Sequence, residues 1–141
     1  MRALDETASV AYMEDSDVEA LLDLFSGEEM IVTRPPRTGL AMVTAVDGFS
    51  TQFHLGEMLV TEAAVSFRGT EGYGMVAGDS PEKALARAAA DAVLRGNAGG
   101  PLRKTVADFL ESARERRGEG LRAEAALGAS TRVSFDLVAG K

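Results

Sequence analysis

Cysteine is absent from the 141 residues, and histidine occurs once, at His54. The first absence excludes disulfides, thiolate nucleophiles, cysteine-type zinc sites and iron–sulfur ligation. The second excludes any site built on two imidazoles. No apolar run is long enough to cross a bilayer, and the opening MRALDETASVAYMED lacks the basic-then-apolar layout of a secretory signal. The expectation is a cytoplasmic chain with no membrane partner. Neither G-x-x-x-x-G-K-[ST] nor G-x-G-x-x-G occurs, and the glycines of GTEGYG, at 69, 72 and 74, have the wrong order for a dinucleotide fingerprint. They read as a hairpin turn. Positive charge is scarce early: Arg2 faces nine acidic residues between Asp5 and Glu29, so one base against nine acids leaves the first thirty residues at −8. Nucleic acid is a poor partner for that end.

What is present describes a folded domain. Apolar residues make up 45% and charged residues 26%, an ordinary soluble composition, and the length suits a single domain over 1–141 with 1–15 only weakly assigned. In DSDVEALLDLFSG, Ser16 and Glu19 have capping-box spacing, Val18, Leu21, Leu22 and Phe25 form a helical stripe, and Gly27 stops it. Ala3 to Tyr12 reads as a frayed helix. Short apolar runs come next: MIVT, an interruption at RPPRTG that puts Pro35 and Pro36 in a loop or on an edge, then LAMVTAV and the Asp47-Gly48 turn. From Met58, Leu59, Ala63, Val65 and Phe67 share one side of a pleat, with Glu62, Ser66 and Arg68 on the other. GTEG then turns into YGMVAG.

Ser80-Pro81 opens an alanine-rich helix whose small residues at 84, 88, 89 and 92 allow close approach to a sheet, with Gly96 as its end. NAGG leads to a second helix from Pro101, with Leu102, Val106, Phe109, Leu110 and Ala113 as its stripe, and Gly118 and Gly120 break or bend the chain beyond it. Val133, Phe135 and Leu137 alternate with Arg132, Ser134 and Asp136 as a last strand. The predicted fold is α+β: a four- to five-stranded, mostly antiparallel sheet with helices packed mainly on one face.

The chemistry is sparse. The NAGGP helix start is a weak anion site. Arg103, Lys104, Arg114, Arg116 and Arg117 share a helix with Asp108, Glu111 and Glu115, which reads as a solvated face with i, i+4 pairing or, more sharply, as a docking surface for an acidic partner or a phosphate-bearing ligand. His54 and Glu57 could serve as a base or a metal pair, but in a regular strand they point to opposite faces and converge only if Gly56 makes a bend or bulge. No further metal ligands lie nearby, and no serine, histidine and acid set is readable. From the residues alone, no catalytic group, metal site or cofactor is assigned to the chain by itself.

RTGLAMV, FHLGEMLVTEAAV, EGYGMVAGDSPEKALARAAADAVL and the terminal STRVSFDLVAGK occur in an order and spacing that resemble the PhnG family, a subunit of the bacterial carbon–phosphorus lyase system, over about residues 18–141. The matching positions are Thr38, Gly39, Leu40, Gly56, Glu57, Val60, Thr61, Gly72, Tyr73, Gly78, Asp79, Thr131, Arg132, Val133 and Phe135. The resemblance implies a role in alkylphosphonate utilisation, beside a PhnI-like nucleosidase and with PhnH, PhnL and the radical lyase subunit PhnJ in the wider system. The implied step displaces adenine from ATP to give a ribose 1-alkylphosphonate 5-triphosphate. It also implies a non-catalytic subunit of a multi-subunit transferase, without a cofactor of its own. The chain departs from the family at Glu62 and Ser66, where arginines are usual, and at Ser134 and Ala139, where an Asp and an Arg are usual. Such changes weaken any phosphate contact made there and could reverse a charge pairing with a partner.

On this reading Gly56 relieves backbone crowding at a bend, and Glu57 holds that bend or an adjoining arginine, with Arg132 the candidate. The competing reading is a free-standing small-molecule binding or hydrolytic domain using His54, Glu57 and Arg132 as ligand groups. A homodimer, where one forms, would use an exposed strand edge or the face opposite the helices.

Overall fold

The computed structural model of the chain describes residues 6–96 and 100–116, together with the backbone of 132–137. Readings that fall on the NAGG loop before Gly100, on Arg117, Gly118, Gly120, Thr131 and Ala139, or on the side chains of β4 lie outside the described residues.

The N-terminal segment is a 3-10 turn, Thr7–Tyr12, with Thr7, Ser9 and Val10 buried. Helix α1, Asp15–Leu24, follows. Ser16 does not cap it: the N-cap is Glu14, without a side-chain cap bond, because Ser16 already lies inside the first turn. Asp15 and Asp17 in that turn complement the positive end of the helix dipole instead. Val18, Leu21 and Phe25 bury the expected stripe, and Gly27 follows with φ +85°.

Strand β1 runs unbroken from Met30 to Val46, so the two apolar runs on either side of RPPRTG are one strand. The prolines are tolerated because β1 pairs on one side only along this stretch and slips register between Val32 and Arg34 and between Arg34 and Arg37. Strand β2, Gln52–Phe67, returns antiparallel, and β3, Thr70–Ala77, pairs with its second half. The β2–β3 turn is Arg68-Gly69, both with positive φ, the pattern of a two-residue hairpin. GTEG is therefore not the turn itself; Thr70 to Gly72 already lie in β3. Strand β4, Arg132–Leu137, pairs antiparallel with Ala41–Val46, giving the order β3-β2-β1-β4. The α+β class and the antiparallel sheet are those expected.

Helix α2, Pro81–Arg95, lies across β3 and β2, and α1, α3 (Gly100–Arg116) and the 3-10 turn pack against it. The core joins Ala63, Val65, Phe67 and Val76 of the sheet to the buried alanines of α2 and to Val10, Leu21, Val106 and Leu110. Two glycines set how close α2 comes. A Cβ on Gly72 would land on backbone atoms of Ala88 and Ala92, and one on Gly74 on those of Ala84 and Ala88. The alanines at 84, 88 and 92 thus meet a matching glycine pair on β3, whose spacing serves packing.

α2 also closes the outer edge of β3. Asp91 Oδ2 accepts the Tyr73 N–H at 2.9 Å, and Arg87 Nη1 donates to the Met75 carbonyl at 2.9 Å. Edge groups that would otherwise be open to pairing are satisfied from within the chain. At the other end of β3, Thr61 Oγ1 donates to the Gly78 carbonyl at 2.6 Å and accepts the Ser80 N–H at 3.0 Å. This fixes the turn that launches α2; the Ser80 hydroxyl itself makes no cap bond.

Candidate functional site

Of the three register slips between β1 and β2, the one at Pro35-Pro36 and the one at Leu55 decide which polar side chains can meet. Residues three apart in a regular strand face opposite ways. On β1 the slip at Pro35-Pro36 sets Arg34 opposite Ala64 and Arg37 opposite Glu62, two positions apart on β2, so both arginines share one face. On β2 the slip at Leu55 sets His54 opposite Thr44 and Glu57 opposite Met42, again two positions apart. His54 and Glu57 therefore share a face as well. Gly56, with φ +135°, occupies backbone space that other residues rarely adopt.

The first slip builds the best-defined charged cluster of the described residues, on the sheet face away from the helices. Glu62 is only 3% exposed. Its carboxylate accepts Arg37 Nε at 3.2 Å, faces Arg34 Nη1 at 3.5 Å and accepts the Tyr73 hydroxyl at 2.9 Å. Tyr73 is pushed up to about 12, first by burial and then by its bond to the Glu62 carboxylate. It is a neutral donor at physiological pH. The chain's own arginines neutralise Glu62.

By alternation alone Glu62 falls on the solvent side of the pleat, and nothing local joins it to Arg34, Arg37 and Tyr73. The arginine partners lie 28 and 25 residues away, and only the proline slip aligns them. Sequence reasoning also misses Asp91, although one acid inside an alanine run is a usable signal. It is fully buried; Oδ2 accepts the Tyr73 N–H and Arg95 Nη1, the latter at 3.4 Å, while among the described residues Oδ1 has no hydrogen-bond partner. Arg87 beside it is pulled below its usual value by burial, with Asp91, Tyr12 and Tyr73 opposing.

The second slip leaves His54 and Glu57 exposed, and among the described residues neither side chain makes a hydrogen bond or ion pair. Register does not bring Arg132 to Glu57. Arg132 lies in the row of Val46 and Gln52, whereas Glu57 lies in the row of Met42 and Asp136. Phe135 sits opposite Val43.

Other positions singled out by the resemblance lie in the sheet and its connections. Thr38 pairs with Thr61, Gly39 with Val60, Gly72 packs on α2, and Thr61 pins Gly78 and Ser80, with exposed Asp79 in the bend between. On α3, Lys104 pairs with Asp108 at 3.2 Å, Arg116 with Asp17 at 3.0 Å, and Arg103 donates to the Gly96 carbonyl. Much of that helix's positive charge is thus engaged inside the chain. Among the described residues no group of three or more His, Asp or Glu is placed to hold a metal ion, and no helix is long and apolar enough to cross a membrane. A cleft of about 330 Å³ opens between the 3-10 turn and the sheet, lined by Tyr12, Met58, Val60, Met75 and Arg87 among others.

The fold and the cluster define a small α+β domain whose strongest polar contacts hold its own strands and helix together. The family is fixed by comparison: the model of the phosphonate metabolism protein PhnG matches residues 5–140. The chain belongs to the PhnG family, and so to phosphonate metabolism. No curated protein matches it.

Proposed function

We propose that the chain is a non-catalytic subunit of the carbon–phosphorus lyase machinery. It would act in alkylphosphonate utilisation beside a PhnI-like nucleosidase, with PhnH, PhnJ and PhnL in the wider system. The observation that carries this reading is the family match over residues 5–140. The site chemistry supports it. Glu62 is engaged by two arginines and a phenol inside the chain, and Tyr73 holds its proton to about pH 12, so the phenol is no base at neutral pH. The reaction served is displacement of adenine from ATP by an alkylphosphonate, giving a ribose 1-alkylphosphonate 5-triphosphate.

Co-purification of the chain with the other phosphonate proteins, followed by an adenine-release assay with and without it, tests the reading. Adenine release that depends on the chain, with none from the chain alone, is expected. Equal release without it contradicts the proposal.

One observation favours a second reading, a free-standing binding or hydrolytic domain. The Leu55 slip turns His54 and Glu57 to the same face, about 7 Å apart along the strand. That reading predicts thermal stabilisation of the lone chain by its small-molecule ligand; the first predicts none with ATP alone.

A further inference from the structure

Leaving β4 aside, the sheet presents three stretches of edge, and the chain protects two of them. The outer edge of β3 is capped by Asp91 and Arg87. The edge of β1 before Ala41 carries Arg34, Pro35, Pro36 and Arg37; prolines lack a donor and edge cations discourage pairing. The third stretch is β2 from Gln52 to Met58. β3 accompanies β2 only from Val60 to Phe67, and the last bond closing that side is Gly78 N–H to the Leu59 carbonyl at 2.8 Å. Before it, among the described residues, no backbone bond leaves Gln52–Met58 on the side away from β1. Strand alternation from Leu59 turns the N–H and C=O of Glu57 outward as well.

Apolar side chains stand uncovered there. Leu55 is 58% exposed and Phe53 42%, and Phe49 in the adjoining turn is 92% exposed. The turn is firmly built: Asp47 Oδ1 accepts the N–H groups of Phe49 and Thr51, each at 2.9 Å, and Ser50 N–H bonds to the Asp47 carbonyl at 3.0 Å. Phe49 is therefore held out into solvent. The charges on this stretch are Asp47 and Glu57, with no Lys or Arg between Thr38 and Phe67.

We propose that Gln52–Met58 is an acceptor edge to which an extended, apolar and basic segment of another protein adds as a strand. Main-chain bonds to the free edge would supply affinity, and Phe49, Phe53 and Leu55 would cover the incoming apolar side chains. Asp47 and Glu57 select a basic segment. A second copy fits poorly. Antiparallel self-pairing centred on Leu55 would set Phe53 against Glu57 and bring together two acidic edges of a chain with net charge −7. The inference deepens the subunit reading above and rests on it only for where the partner is sought.

The test uses the full chain and a fluorescein-labelled nine-residue peptide alternating valine with lysine and threonine. Fluorescence anisotropy should show saturable binding, weakened about tenfold or more when glutamate replaces lysine. N-methylation of alternate peptide amides should abolish it, because a strand without donors cannot pair. Glu57→Lys, a change at an exposed side chain, should weaken the basic peptide by about three- to tenfold. Equal binding of the N-methylated or acidic peptide, no binding up to about 1 mM, or a stable dimer by light scattering overturns the proposal. The two readings can also fail separately. A co-purified phosphonate complex in which the Gln52–Met58 amides exchange as fast as in the free chain sinks this inference and spares the subunit reading. Strand-dependent peptide binding together with equal adenine release with and without the chain supports this inference and sinks the other.

Discussion

The two halves of β2 are built to opposite rules. From Val60 to Phe67 the strand lies between β1 and β3, its inner face is covered by α2, and even its buried carboxylate, Glu62, has three partners. From Gln52 to Met58 it has β1 on one side and, among the described residues, no strand on the other, with Phe53 and Leu55 exposed. A strand that uses half its length to form a core and leaves the other half uncovered carries out folding and recognition on separate residues. Substitutions should therefore sort by half: stability lost in one, binding lost in the other.

The largest expected effect is at the glycine pair. Gly72→Ala combined with Gly74→Ala forces a Cβ into the α2 backbone at two points and should cost about 3 kcal/mol or more by denaturant titration. Gly48→Ala in the uncovered turn, with nothing within 4 Å, should stay within about 0.5 kcal/mol. Equal costs would erase the contrast. Next, Asp91→Ala leaves the Tyr73 N–H without its acceptor and should destabilise by about 1–3 kcal/mol. Thr61→Val removes both bonds that hold Gly78 and Ser80 and should cost about 1–2 kcal/mol, read as a lower denaturation midpoint with an unchanged slope.

The smallest effect is a titration. Folding raises Tyr73 from 10.0 to about 12, so the stabilisation it brings is present below pH 10 and is lost as pH climbs through about 12. In a Tyr12→Phe background Tyr73 is the only tyrosine, and its near-ultraviolet phenolate signal should titrate near 12. Adding Glu62→Gln removes the carboxylate and should bring the midpoint back toward 10.0. An unchanged midpoint would break the link between Glu62 and Tyr73.

The elements that the sequence discloses are those whose signal is local. The stripe of Val18, Leu21 and Phe25, that of Val106, Leu110 and Ala113, and the alternation of Ala63, Val65 and Phe67 each repeat within one element and are buried as their spacing implies. What stays hidden depends on a partner strand or helix. RPPRTG looks like a break until β2 pairs through it with a slipped register, and Gly72 and Gly74 look like turn residues until α2 lies on them. The same holds for the polar groups. Nothing local links Glu62 to Arg34 and Arg37, and a bulge that turns His54 toward the face of Glu57 can be named as a condition from sequence but not located.

Residue-resolved amide hydrogen exchange, on the free chain and then on the assembled phosphonate complex, tests the division of β2 most directly. The account predicts slow exchange for Val60–Phe67 in both states, and fast exchange at the outward amides of Gln52–Met58 that becomes slow only on assembly. Uniform protection along β2 in the free chain, or an uncovered half that stays fast in the complex, would contradict it.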